Sequence, residues 1–333
     1  MKILIIGGGA WGSALGNVLT ENNKHDVTIF DRNIKVVDEI NKLHTNSTYF
    51  NNVKLNASLK ATHSYHEILN TVDLVVLAIP SNAYKDILID LNNNLKKKIY
   101  IVSVAKGFDL ETNLRLSETI RKYLDASKRF EVVSLIGPSF ADEVVIKMPT
   151  CVTSTSIDEN VAKIIQEVFS NNYFRVYTNT DEIGAEYAAS YKNVIALASG
   201  ILTGLGYGDN TRAALITRGL AEMVRLGLKM GGKLTTYLGL TGLGDLLLTA
   251  TSTHSRNFKA GLIIGKENSA INFLKNNKMT TEGVRTSKVL YQLSLKEGLD
   301  LPCNEAVYDV LYLNKKPSEI VYNLINRPLK KEF

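Results

Sequence analysis

Gly7-Gly8-Gly9-Ala10-Trp11-Gly12 has the spacing G-x-G-x-x-G, directly after an apolar run and at the opening of a helical pattern. That is the context in which such a loop cradles a dinucleotide. Gly7 then permits the tight turn, Gly9 lets the backbone approach a pyrophosphate, and Gly12 allows close helix–strand packing. The unpaired N–H groups of the helix start meet the phosphate charge. Asp31 ends the second β-rich run, close to the expected distance for an acid that binds an adenosine ribose, whereas Arg32 beside it suits a 2′-phosphate. A glycine-rich turn with no ligand is the plainer alternative, and strand, helix and acid together weigh against it. Gly204-Leu205-Gly206 and Gly242-Leu243-Gly244 lack the third glycine, with Asp209 and Leu247 in its place. They read as loops or close helix contacts.

A second group of residues suits acid–base and anion chemistry. Ser190-Tyr191-Lys192-Asn193 sets a lysine against the apolar stretch that continues to Leu197. Either Lys192 snorkels to water from a helix end, or it is a general acid and base tuned by desolvation or a nearby cation. Lys106 follows a strand pattern ending at Val104, at the carboxyl edge where α/β sheets bind ligands, and could be that cation. Asp245, after Gly244, is either a helix N-cap or the group that orients Lys192. Ser255-Arg256-Asn257 joins a hydroxyl, a guanidinium and an amide. An exposed polar turn competes there with a phosphate site, in which arginine forks onto phosphate oxygens and a helix start adds donors.

The elements that must position these residues follow from the apolar pattern. Ile3–Ile6, Val27–Phe30, Leu74–Ile79, Ile99–Val104 and Val132–Ile136 read as strands of a parallel sheet covered on both faces. Helical segments alternate with them at Trp11–Thr20, Ile34–Leu43 and Asn82–Leu91, as in a doubly wound α/β sheet. Thr150–Thr155 and Tyr173–Thr178 are two further strands. Beyond about Asn179 only helical periodicity persists, over 182–203, 211–230 and 304–327, with Asn210 as an expected N-cap. The expected organisation is a Rossmann-like domain at 1–180 and a helical substrate domain at 181–333.

Composition narrows the functional class. The 333 residues are 45% hydrophobic and 22% charged, as in folded globular proteins rather than disordered chains. The net charge is +6, with a pI near 9.0. Part of that excess lies in solvated runs such as Lys96-Lys97-Lys98, without interleaved aromatics, so a nucleic-acid groove is not expected. Cys151 and Cys303 lie far apart, which excludes a disulfide framework and fits a reducing compartment. His63 and His66 have no downstream partner at zinc spacing, so no metal is expected. The four apolar residues before Gly7 are too few for a signal peptide. Val194–Gly208 is too short and glycine-interrupted for a membrane span. A cytoplasmic protein is expected.

With these residues assembled, the chain resembles the bacterial-type NAD(P)-dependent glycerol-3-phosphate dehydrogenases over nearly its whole length. The segments that carry the resemblance, in family order, are GGGAWGSAL, VSVAKGFD, IGPSFADEV, SYKNVIALASGI, GYGDNTRAALITRGLAEMVRLG, GLTGLGDLLLTATSTHSRN and TEGVRTS. It implies a homodimer that interconverts sn-glycerol 3-phosphate and dihydroxyacetone phosphate with NAD or NADP, supplying phospholipid backbones. Lys192 matches the catalytic lysine. Lys106, Gly137, Ser139, Asp245, Ser255, Arg256 and Asn257 match substrate-contacting positions, and Asn193 and Thr249 are second contacts at the polyol. Trp11, Arg32, Lys106, Ala141, Arg256, Thr280 and Glu282 fall at or beside cofactor positions. Two departures stand out. Asp31 replaces a small residue, and its charge opposes a 2′-phosphate and favours NAD. Met279-Thr280-Thr281 replaces a more apolar run before Glu282.

Overall fold

A computed structural model of the chain describes residues 1–21, 24–109, 111–276, 281–329 and 331–332. It divides into two compact units, Met1–Glu186 and Tyr187–Phe333. The first is a doubly wound α/β unit. Its strands are β1 (Lys2–Ile6), β2 (Asp26–Phe30), β3 (Lys60–Thr62), β4 (Leu74–Leu77), β5 (Ile99–Ser103), β6 (Arg129–Ile136), β7 (Thr150–Thr155) and β8 (Phe174–Asn179). They form one sheet in the order β3-β2-β1-β4-β5-β6-β7-β8. Its helices are α1 (Ala10–Thr20), α2 (Ile34–Leu43), α3 (His66–Leu69), α4 (Tyr84–Asn94), α5 (Leu116–Tyr123), α6 (Ala141–Val145) and α7 (Glu159–Phe169).

The strands are apolar along their length because both sheet faces are covered. Ile3 and Ile5 enter one core layer with Leu15 and Val18 of α1 and Ile165 of α7. Leu4 and Ile6 enter the other, with Leu88 and Leu91 of α4 and Ile120 of α5. Two features depart from the pattern. The pair β6–β7 is antiparallel, whereas the other pairs in the sheet are parallel. Strand β3 was not expected, because Lys60-Ala61-Thr62 offers no apolar run; pairing with Thr28–Phe30 makes it a strand.

The boundary between the units falls within α8 (Glu182–Gly204). In the first unit, the opening turn of α8 is held by arginines. Arg115 Nη1 donates to Glu186 Oε2 at 2.9 Å and to Glu182 Oε1 at 3.3 Å, and Arg121 Nη2 to Glu182 Oε2 at 2.7 Å. Burial opposes the Glu182 charge, but the hydrogen bonds and charge of Arg121 outweigh it and hold the carboxyl below its usual range.

The second unit contains helices and no strands among its described residues. After α8 come α9 (Asp209–Lys229), α10 (Leu234–Tyr237), α11 (Asp245–Thr251), α12 (Arg256–Glu267), α13 (Ile271–Asn276), α14 (Glu282–Glu297), α15 (Pro302–Tyr312) and α16 (Pro317–Ile325). Helices α8 and α12 touch backbone to backbone. A Cβ at Gly200 would lie 2.1 Å from the Phe258 carbonyl oxygen, and one at Gly261 2.0 Å from that of Leu197. Two sequence expectations need correction. Asn210 is not the N-cap of α9; the helix already starts at Asp209, with Gly208 in the extended cap position. The segment 304–327 is two helices, because Pro317 has no N–H to continue a helix and instead opens α16.

Candidate functional site

In the first unit, β1 delivers the chain into the glycine loop. Gly7 has φ +115° and donates its N–H to the Phe30 carbonyl at 2.9 Å. A Cβ at Gly12 would stand 1.9 Å from the Gly7 carbonyl oxygen, so α1 can close onto the turn only with glycine there. At Gly9, by contrast, an added Cβ meets nothing within 4 Å. Gly9 is the N-cap of α1 and offers no side chain to its first turn. These three positions fit a dinucleotide pyrophosphate: open backbone at the mouth of a helix, whose N–H groups are of the kind that hold an anion. Ala10 and Trp11 are half-buried and pack on the core beneath.

Asp31 is bonded to the loop itself. Its Oδ2 accepts the Gly8 N–H at 2.9 Å and its Oδ1 accepts the Asn33 N–H at 2.8 Å. Arg32 beside it is exposed. Lys106 and Gly137 follow β5 and β6, at the same carboxyl edge as the loop, since β1, β4, β5 and β6 run parallel. The Lys106 ammonium and the Ser139 hydroxyl both donate to the Gly137 carbonyl, at 3.5 and 3.1 Å. Ala141 opens α6 and packs against the same core layer as Trp11.

In the second unit, Lys192 is 4% exposed, inside α8 rather than at its end. Its Nζ donates to Asp245 Oδ1 at 2.6 Å and to Thr249 Oγ1 at 2.8 Å. A buried ammonium needs such a partner, because its lost hydration must be replaced. Asp245, 1% exposed, is the first residue of α11 and not its N-cap. A π-helical turn over Leu240–Gly244 leads into it, a local irregularity of the kind that recurs at functional sites. Thr249 lies one turn along α11, and its hydroxyl also donates to the Asp245 carbonyl at 2.6 Å. The result is a proton-bearing group held at one position by an anion and a hydroxyl.

A chain of amides adjoins this centre in sequence. Asn193 Nδ2 donates to Glu282 Oε2 at 3.0 Å, Asn257 Nδ2 to Asn193 Oδ1 at 3.0 Å, and the Gly283 N–H to Asn257 Oδ1 at 2.8 Å. Helices α8, α12 and α14 are thereby tied together through their polar side chains. Ser255 is the N-cap of α12, its Oγ accepting the Phe258 N–H at 3.2 Å. Arg256 is the first helical residue and is exposed. Thr280 lies outside the described residues.

Sequence reasoning missed a buried carboxylate in the same unit. Glu222 Oε2 accepts the Tyr191 hydroxyl at 2.7 Å, and its Oε1 accepts the Cys303 N–H at 2.7 Å at the start of α15. Burial pushes the Glu222 carboxyl above its usual range. The signal was present, since Glu222 shares the buried face of α9 with Ile216, Gly219, Met223 and Leu226. A cavity of about 580 Å³, lined among others by Cys151, Gln166, Tyr173 and Arg175, contains none of the expected site residues.

Comparison with known proteins bears on both units. The family described as NAD-dependent glycerol-3-phosphate dehydrogenase N-terminus matches residues 2–162, and the corresponding C-terminus family matches 181–322. The chain is 45% identical to a glycerol-3-phosphate dehydrogenase [NAD(P)+] of Listeria monocytogenes, covering 99% of this chain and 98% of that one. It is 44% identical to one from Staphylococcus epidermidis, covering 99% of both. Among solved structures, a glycerol-3-phosphate dehydrogenase from Coxiella burnetii is similar with a TM-score of 0.90 and 33% identity, over 98% of this chain and 99% of that one.

Proposed function

This chain belongs to the NAD-dependent glycerol-3-phosphate dehydrogenase family, and on that footing we propose the part each residue plays in the reaction. The enzyme interconverts sn-glycerol 3-phosphate and dihydroxyacetone phosphate with NAD or NADP. The dinucleotide supplies or accepts the hydride. In our reading Gly7, Gly9, Ala10, Trp11 and Gly12 hold its pyrophosphate end, with Asp31, Arg32 and Ala141 beside it. Arg256 and Glu282 keep the cofactor positions that the family resemblance implies.

The observation that carries the chemical assignment is the buried 2.6 Å contact between Lys192 and Asp245. In reduction Lys192 donates a proton to the ketone oxygen, and in oxidation its amine takes the hydroxyl proton back. Asp245 and Thr249 are positioning residues that fix the ammonium. Their effect is large because they act where water is excluded. Lys106 meets developing negative charge, with Gly137 and Ser139 aligning it. Arg256, Ser255 and Asn257 take the substrate phosphate at the start of α12, where helix N–H groups favour an anion. Asn193 supports the polyol. Binding of the non-reacting phosphate then orients the reacting carbon.

We further propose a cytoplasmic homodimer that supplies glycerol 3-phosphate for phospholipid synthesis, as the family resemblance implies. None of the described helices is long and apolar enough to cross a membrane. Absorbance decay of NADH, and separately of NADPH, with dihydroxyacetone phosphate tests the reaction. Turnover is expected, with NADH favoured if the Asp31 charge decides the preference. A folded protein that binds NADH yet turns over neither would overturn it.

A further inference from the structure

The glycine loop is held from behind by a residue that no motif marks. Asn46 lies in the segment after α2, 0% exposed. Its Nδ2 donates to the Gly8 carbonyl and to Ser13 Oγ, each at 2.9 Å. The Ser13 hydroxyl leans on the same Gly8 carbonyl at 3.4 Å. On its other side, Gly8 gives its N–H to Asp31 Oδ2 at 2.9 Å. Both polar groups of one glycine are thus fixed by side chains from different parts of the first unit. The fixing has a cost, because Asn46 Oδ1 is buried without a partner among the described residues. Turning the amide over would not relieve it, since Oδ1 would then face the Gly8 carbonyl oxygen.

We propose that Asn46 is a positioning residue for dinucleotide binding, setting the angle at which the loop presents the Gly9 N–H. The peptide between Gly8 and Gly9 is a rigid plane, with its C=O and N–H pointing in opposite directions. Drawing the Gly8 oxygen inward onto Asn46 therefore turns the Gly9 N–H the opposite way, away from Asn46. Without the amide, the Gly8 oxygen keeps only the longer contact from Ser13 Oγ, and the flexible glycine bonds on either side let the plane tilt more widely. The loop then has to be ordered by the ligand, and affinity falls by that cost. The inference rests on the glycine loop being the pyrophosphate site.

Asn46→Asp keeps the shape and removes the donor, setting a carboxylate against the Gly8 oxygen. Trp11, the single tryptophan, lies within the loop motif and reports binding through its fluorescence. Asn46→Asp is expected to raise the NADH dissociation constant about tenfold or more, leaving the KM for dihydroxyacetone phosphate and the saturated kcat within about twofold. If Asn46→Asp does not fold, Asn46→Ala removes the same donor without the repulsion. Unchanged NADH affinity in a folded variant overturns the proposal. So does a parallel rise of both KM values with a fallen Tm, which marks a merely structural residue. Gly9→Val separates the two levels. If it binds NADH like the wild type, the loop is not the pyrophosphate site. If it loses NADH while Asn46→Asp keeps it, only the role of Asn46 fails.

Discussion

In the proposed reaction, the glycine loop of the first unit and the lysine centre of the second serve charge in opposite ways. The loop works by leaving side chains out: Gly12 lets α1 close on Gly7, and Gly9 keeps the helix mouth bare. What remains is backbone, whose N–H groups need no deprotonation and, in the proposed role, would hold an anion by direction alone. The lysine centre is built from side chains, buried and satisfied by one another, with Lys192 against Asp245 and Thr249. A backbone site tolerates little added volume but no single side chain carries it. A side-chain site rests on one group that can lose a proton. Substitutions should therefore fail differently in the two places.

The largest effect belongs to Lys192. Lys192→Ala should lower kcat by about 10²- to 10⁴-fold, the usual contribution of a general acid, with NADH affinity unchanged by Trp11 fluorescence. Asp245→Ala should combine a similar loss with a fall in stability of about 3–5 kcal/mol, because it strands a buried ammonium. Next comes Gly9→Val. Its backbone, at φ −72° and ψ −176°, accepts a valine without strain. NADH affinity should fall by about 10- to 100-fold, the loss expected when charged hydrogen bonds to the pyrophosphate are displaced, while Tm stays near that of the wild type. A large fall in Tm would show that the open space at Gly9 is needed for folding rather than for binding.

Arg256→Ala sharpens the comparison from the substrate side. Losing charged hydrogen bonds to a phosphate should raise the KM for dihydroxyacetone phosphate by about 10- to 100-fold, with a smaller change in kcat. An unchanged KM would remove Arg256 from the phosphate site. The smallest effect on activity is expected at Glu182, which lies in neither centre. Its carboxyl is held below the usual range, so its stabilisation is present above about pH 4.3 and is lost as the pH falls through the depressed value. Glu182→Gln should lower Tm at neutral pH, and the gap to the wild type should close in acid. A gap independent of pH would mean that the ion pairs to Arg115 and Arg121 contribute nothing.

The two regions also differed in how far the sequence disclosed them. The glycine loop was legible because its parts are contiguous, with Gly7 and Gly12 answering local steric demands. The strands β1, β2, β4, β5 and β6 were legible for the same local reason, as short apolar runs buried on both faces. Lys192, Asp245 and Thr249 lie 53 and 57 positions apart along the chain from lysine to each partner. Residue type made Lys192 and Asp245 candidates and suggested that one orients the other, whereas Thr249 entered only through the family resemblance, as a polyol contact, and its bond to Lys192 was not anticipated. Glu222 went unread although its place on the apolar face of its helix marked it as buried, and Asn46 went unread because a loop asparagine shows no sign in sequence that it will be bonded to a particular carbonyl. The break between α15 and α16 was also missed, although Pro317 marks it, because the apolar period runs on across it.

The central claim is that the first unit binds the dinucleotide by backbone and the second moves the proton by Lys192. Titrating NADH into Lys192→Ala and Gly9→Val, beside single-turnover oxidation of bound NADH by dihydroxyacetone phosphate, tests it most directly. The account predicts that Lys192→Ala binds NADH as the wild type does and turns it over at least about 100-fold more slowly, whereas Gly9→Val fails at binding. Wild-type turnover in Lys192→Ala, or equal loss of NADH affinity in both variants, would contradict it.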